Sequence, residues 1–111
     1  MNKAEEFQSE VKNNIESLGH NAELIKLSYK WVEKAGKERY SYNFNWLGRP
    51  IIQVPQDIVA MQELILAVKP DLIIETGIAH GGSLIFSASM LALLDMEEAI
   101  ENGATINPRD S

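Results

Sequence analysis

Asp71-Leu72-Ile73-Ile74-Glu75 is a short run with three successive apolar residues and no polar alternation. A strand with one wet face alternates. A run of this kind reads instead as a strand covered on both faces, as in a parallel sheet. It leads into Thr76-Gly77-Ile78-Ala79-His80-Gly81-Gly82-Ser83 and then into Leu84, Ile85, Phe86, Ala88, Met90, Leu91, Leu93 and Leu94, which have the length and packing of a helix. The order helix, buried strand, glycine loop, helix is the opening unit of a doubly wound α/β fold.

The preceding helix starts at Pro55 and Asp57, carries Ile58, Met61, Leu64, Ile65 and Val68 at helical spacing, and is stopped by Pro70. Upstream, Tyr40, Tyr42, Phe44 and Trp46 alternate with Ser41, Asn43 and Asn45, predicting an extended, half-buried segment. Leu47-Gly48-Arg49-Pro50 breaks it with a turn, and Ile51, Ile52 and Val54 continue the extended path. The four aromatics either line a ligand groove or subunit contact, or cover the edge of the core, which is the commoner use of such stripes. Two helices come first. Phe7, Val11, Ile15 and Leu18 share one face of a helix over 4–18 ended at Gly19, and Asn21 caps a second whose stripe includes Leu24, Ile25, Leu27, Trp31, Val32 and Ala35 before Gly36. The expected division is a helical segment, 1–39, and a segment with strand, glycine loop and helix, 40–111.

The glycine loop carries the chemistry. Glycine lets a backbone approach a ligand closely, and the helix after it offers free N–H groups to an anion. The alternative is that these glycines only turn the chain. The lysine of the GxxxxGK[ST] phosphate loop is missing and Gly77, Gly81 and Gly82 do not match GxGxxG, which disfavours nucleotide hydrolysis and removes the dinucleotide fingerprint. A ligand with a carboxylate and a ribose but no phosphate suits the loop, with Glu75 accepting from an ammonium or from loop amides and Ser83 facing the carboxylate. S-adenosylmethionine has those groups.

Composition closes other routes. The 111 residues include no cysteine, so disulfides, thiolate zinc sites and cysteine nucleophiles are excluded. Residues 1–50 hold eight basic and seven acidic side chains, and residues 51–111 hold two and nine. An acidic half of that kind is a poor surface for nucleic acid. Neither a membrane span nor a signal peptide is visible, so a cytoplasmic protein is expected. Glu97, Glu98 and Glu101 read as the solvated face of a helix end, and no metal site is expected from them.

Trp46-Leu47-Gly48-Arg49-Pro50-Ile51-Ile52-Gln53-Val54-Pro55-Gln56-Asp57 and Lys69-Pro70-Asp71-Leu72-Ile73-Ile74-Glu75-Thr76-Gly77-Ile78-Ala79-His80-Gly81-Gly82-Ser83 strongly resemble the cephalosporin hydroxylase family, which includes rhamnosyl O-methyltransferases. The resemblance spans about residues 40 to 95. It implies the Rossmann-like fold of class I methyltransferases, S-adenosylmethionine as cofactor, and an acceptor hydroxyl on a small molecule or sugar. It also assigns Glu75, Thr76, Gly77, Ala79, Gly81, Gly82 and Ser83 to the cofactor loop, leaving His80 without a role. Members of the family run to a little over twice this length, so the expectation is the N-terminal part of such a domain. Its sheet would be incomplete, and the chain inactive by itself with catalytic residues unknown. Asp95 and Glu97 stand where a ribose-holding acid belongs in sequence, but at a helix end. Iron-dependent hydroxylation would need two histidines and a carboxylate, whereas His20 and His80 fall in unrelated loops. The other reading is a non-catalytic module, a homo-oligomer built through the aromatic segment and an exposed sheet edge.

Overall fold

The computed structural model describes residues 2–110 and divides at residue 38 into two compact units. The first consists of two helices, α1 (Lys3–His20) and α2 (Ala22–Lys37). Asn2 opens α1 with a reciprocal capping box: its side chain accepts from the Glu5 N–H at 2.9 Å, and Glu5 accepts from the Asn2 N–H at the same distance. Gly19 does not end the helix: its φ is not positive, and α1 runs on to His20. Asn21 does the ending. Its N–H reaches the Leu18 carbonyl at 3.3 Å, while its side chain accepts from Leu24 N–H at 3.0 Å and starts α2. Neither helix buries a single residue.

The second unit opens with a 3-10 turn, Tyr40–Tyr42, followed by β1 (Phe44–Trp46) and β2 (Arg49–Ile51). The strands pair antiparallel with Phe44 opposite Ile51 and Trp46 opposite Arg49. Leu47 and Gly48 join them at φ +47° and +81°, the doubly left-handed turn that matches strand twist. α3 (Pro55–Val68) begins on a proline, whose missing N–H costs a first turn nothing, and ends where Lys69 turns left-handed ahead of Pro70. α4 (Gly82–Glu101) runs five turns and carries Glu97, Glu98 and Glu101 on exposed positions.

The core is small. Ile51, Ile65 and Phe86 are buried at its centre, with Phe44, Trp46, Ile58, Ile73, Met90 and Leu94 packed around them. Trp46 stands edge-on to Phe86 at 4.8 Å between ring centroids, and its indole N–H donates to the Ser89 hydroxyl at 3.0 Å. Tyr40 meets Phe44 edge-on at 5.2 Å, while Tyr42 remains exposed. Phe44 and Trp46 thus cover the core edge.

The expected strand over Asp71–Glu75 is not formed. That segment has no regular structure, only Ile73 enters the core, and Leu72 and Ile74 are 72% and 82% exposed. The reason is pairing: a parallel strand needs a parallel neighbour, and residues 44–51 pair with each other instead. The unit is α/β and mostly helical, with a two-stranded antiparallel sheet.

Candidate functional site

Between Pro70 and α4 the backbone is shaped by three left-handed residues, Gly77, Ala79 and Gly81, at φ +72°, +46° and +86°. The last of these caps α4, and its N–H closes a tight turn onto the Ile78 carbonyl at 2.7 Å. Gly82 serves a different purpose. A Cβ there would lie 2.2 Å from the Pro50 carbonyl oxygen and 2.7 Å from the Ile51 Cβ, so its bare backbone is what seats α4 against β2. Gly77 and Gly81 turn the chain through left-handed backbone, while Gly82 has a packing role that neither sequence reading of these glycines included.

Ser83 lies in the first turn of α4, and its hydroxyl donates to the Glu75 carboxylate. Glu75 is half-buried there. The first intrahelical bond of α4 runs from the Ile85 N–H to the Gly81 carbonyl at 3.0 Å, so the Gly82, Ser83 and Leu84 amides precede it and give this end of the helix a partial positive charge. A carboxylate beside that end is favourably placed.

Glu75 and Ser83 belong to the wall of a groove of about 430 Å³ between α3, α4 and residues 70–75. Its lining is largely aliphatic, with Ile58, Leu64, Ile65 and Phe86 among the apolar groups and Gln53 and Ser87 as further polar ones. The size suits a small organic ligand held by a few convergent polar groups. Thr76 and Gly77 are exposed at the turn beyond it. Ala79, His80 and Gly81 line a separate recess of about 350 Å³ with Arg49, whose Cδ passes 3.8 Å from where a Cβ on Gly81 would be. Of the predicted loop residues, Glu75 and Ser83 line one hollow, Ala79 and Gly81 another, Gly82 makes a packing contact, and Thr76 and Gly77 stand exposed outside all three. Asp95 and Glu97 sit with Lys69 and Asp71 around a third hollow along α4, away from the Glu75 groove. Among the described residues no three histidine, aspartate or glutamate side chains gather into a metal-binding group.

A family model described as rhamnosyl O-methyltransferase/CmcI matches residues 38–108, well over half of the chain. The chain belongs to this family. The match takes in the hairpin, α3, the glycine loop and α4, the elements that build the groove, and leaves α1 and α2 outside. No curated protein and no solved structure matches the chain. Membership gives it a methyltransferase-family domain of O-methyltransferase-like function. No helix among the described residues is long and apolar enough to cross a membrane.

Sequence reasoning missed Gln53 and Arg49. Both stand inside the Trp46–Asp57 stretch that carries the family likeness, but only the hairpin shows that Arg49 reaches Gly81 and that Gln53 shares a wall with Glu75.

Proposed function

We propose that the groove beside Glu75 and Ser83 receives S-adenosylmethionine, and that the family activity is methyl transfer to a hydroxyl of a small molecule or sugar in the cytoplasm. One observation carries this: inside the family-matched region, a carboxylate and a hydroxyl are joined at the start of a helix on the wall of an apolar groove of ligand size. The donor set suits the amino-acid end of the cofactor. Glu75 accepts from its ammonium, the free amides at the start of α4 receive its carboxylate, and Ser83 fixes Glu75 in place. Gly77, Ala79 and Gly81 hold the loop open through their left-handed backbone, with Thr76 at its entrance, and Gly82 keeps α4 docked so that Ser83 stays in reach of Glu75. When bound, the cofactor supplies a sulfonium methyl open to in-line attack by the acceptor oxygen, so positioning contributes much of the rate.

With Glu75 given to the ammonium, no second carboxylate lines this groove for the ribose, and Asp95 and Glu97 line another hollow. Neither does any histidine line it to take the acceptor proton. The 111-residue chain therefore supplies half of a pocket: Asp71–Glu75 becomes a strand of a doubly wound sheet when a parallel neighbour pairs it, and the chain by itself binds cofactor weakly and transfers no methyl group.

Calorimetric titration with S-adenosylmethionine tests this reading, with Gly81→Val as the control. Valine is β-branched and disfavours the left-handed conformation of Gly81, so the variant should lose measurable binding. Equal heats from both proteins, or none from the parent, overturn the assignment.

A second reading, a non-catalytic module that self-associates as a homo-oligomer, is favoured by the bareness of Asp71–Glu75. Among the described residues the backbone of 71–77 makes no hydrogen bond, and Leu72 and Ile74 face water. Cofactor binding separates the two readings, because a module of that kind needs none.

A further inference from the structure

We propose that α1 and α2 form a reciprocal dimer in which α1 of each copy packs antiparallel on α2 of the other. Both helices are firmly specified, by the Asn2–Glu5 capping box and by Asn21, yet they touch each other sparsely. Phe7, Ile15, Leu18, Leu27 and Val32 are 61%, 64%, 56%, 55% and 61% exposed. Two amphipathic helices totalling under 40 residues do not hold their shape in water without covering such faces.

The stripes are made for one another. Set antiparallel about Asn21, Phe7 meets Ala35, Val11 meets Trp31, Ile15 meets Leu27 and Leu18 meets Leu24, so large residues oppose smaller ones at the end far from Asn21 and aliphatic residues of equal size meet nearer it. α1 carries two lysines and four glutamates, a net charge of -2, while α2 carries four lysines and two glutamates, a net +2. At 100° per residue, Glu6 and Glu10 lie on the same flank of the α1 stripe as Lys30 and Lys34 do of the α2 stripe, with Lys3 and Glu23 at the outer and inner ends of those flanks, and antiparallel packing brings the flanks together.

One chain cannot make this pairing with itself. Antiparallel helix pairs need connections of roughly 2–5 residues, and here the sole residue between the helices is Asn21, committed to both caps. A connection too short to reverse the chain favours exchange of identical elements between copies. The family match does not include these helices, so the inference stands apart from the methyl-transfer reading.

Sedimentation of the full chain over a wide concentration range tests it, with far-UV circular dichroism as the check on helicity. The parent should be a dimer. Inserting Gly-Ser-Gly-Ser after Asn21 should let the helices close within one chain and yield a monomer of unchanged helicity. Glu6→Lys with Glu10→Lys, or Lys30→Glu with Lys34→Glu, should each weaken self-association about tenfold, because like charges then line the shared flanks. Mixing the two charge-reversed proteins should restore a dimer, which pairing inside one chain cannot do. A parent that is monomeric throughout overturns the proposal, whether its own second unit or a different protein covers the face. So does a dimer indifferent to the insertion and to the charges, which would move the contact to the bare backbone of 71–77.

Discussion

The hairpin at residues 44–51 alternates apolar with polar residues and the segment at 71–75 has an unbroken apolar centre, and both suit strands, yet only the first forms them. The difference is the distance to a partner. Leu47 and Gly48 turn the chain so that Phe44 finds Ile51 within the same eight residues, and the ladder then lies flat on α4 through Trp46, Ile51 and Phe86. Asp71–Glu75 has α3 before it and α4 after it, so any strand beside it must come from elsewhere. Apolar content determines whether a segment wants burial; available hydrogen-bond partners determine whether it becomes a strand.

Three substitutions sharpen that contrast. Ile51→Ala should be the most damaging, because Ile51 is 2% exposed at the centre of a core with three buried side chains and little else to close the gap. A loss of about 3 kcal/mol is expected, read from denaturant titration of Trp46 emission in a Trp31→Phe background. A loss below half of that would mean that the hairpin is not held by α4.

Gly82→Ala comes next. The added methyl would sit 2.2 Å from the Pro50 carbonyl oxygen, and a backbone atom in a hairpin cannot swing aside as a side chain can. The helix must move off the hairpin, which should cost about 2 kcal/mol and weaken the Trp46–Ser89 hydrogen bond. Retained stability and an unshifted indole N–H resonance would show that α4 has slack there.

Much of this arrangement was legible in the residues. Pro55 and Pro70 bracket α3, Asn21 caps α2, and the apolar spacing from Leu84 onward locates α4. Family membership was legible too, since the paired motifs lie within the matched residues 38–108. Three features escaped for identifiable reasons. Whether Tyr40–Val54 pairs with itself or with residues 71–75 is a long-range choice that periodicity does not encode. Gly82 looks like its neighbour Gly81 in sequence, and only the approach of Pro50 separates a packing glycine from a left-handed one. Gln53 and Arg49 are polar residues around a turn, with no local signal tying either to the loop almost thirty residues later.

The smallest expected effect is the most informative. Ile74 has the same side chain as Ile51, in a stretch with the stronger strand pattern, but it is 82% exposed. Ile74→Ala should therefore change the stability of the isolated chain by no more than about 0.5 kcal/mol, because almost no apolar surface returns to water. If a parallel strand docks against Asp71–Glu75, as the methyltransferase reading requires, Ile74 passes from water into a covered sheet and the same substitution acquires a core cost of about 2 kcal/mol. The measurement is denaturant stability of the variant, alone and in any assembly that pairs this segment. A large loss in the isolated chain would show that Ile74 is already covered, and the distinction between paired and unpaired apolar segments would have to be redrawn.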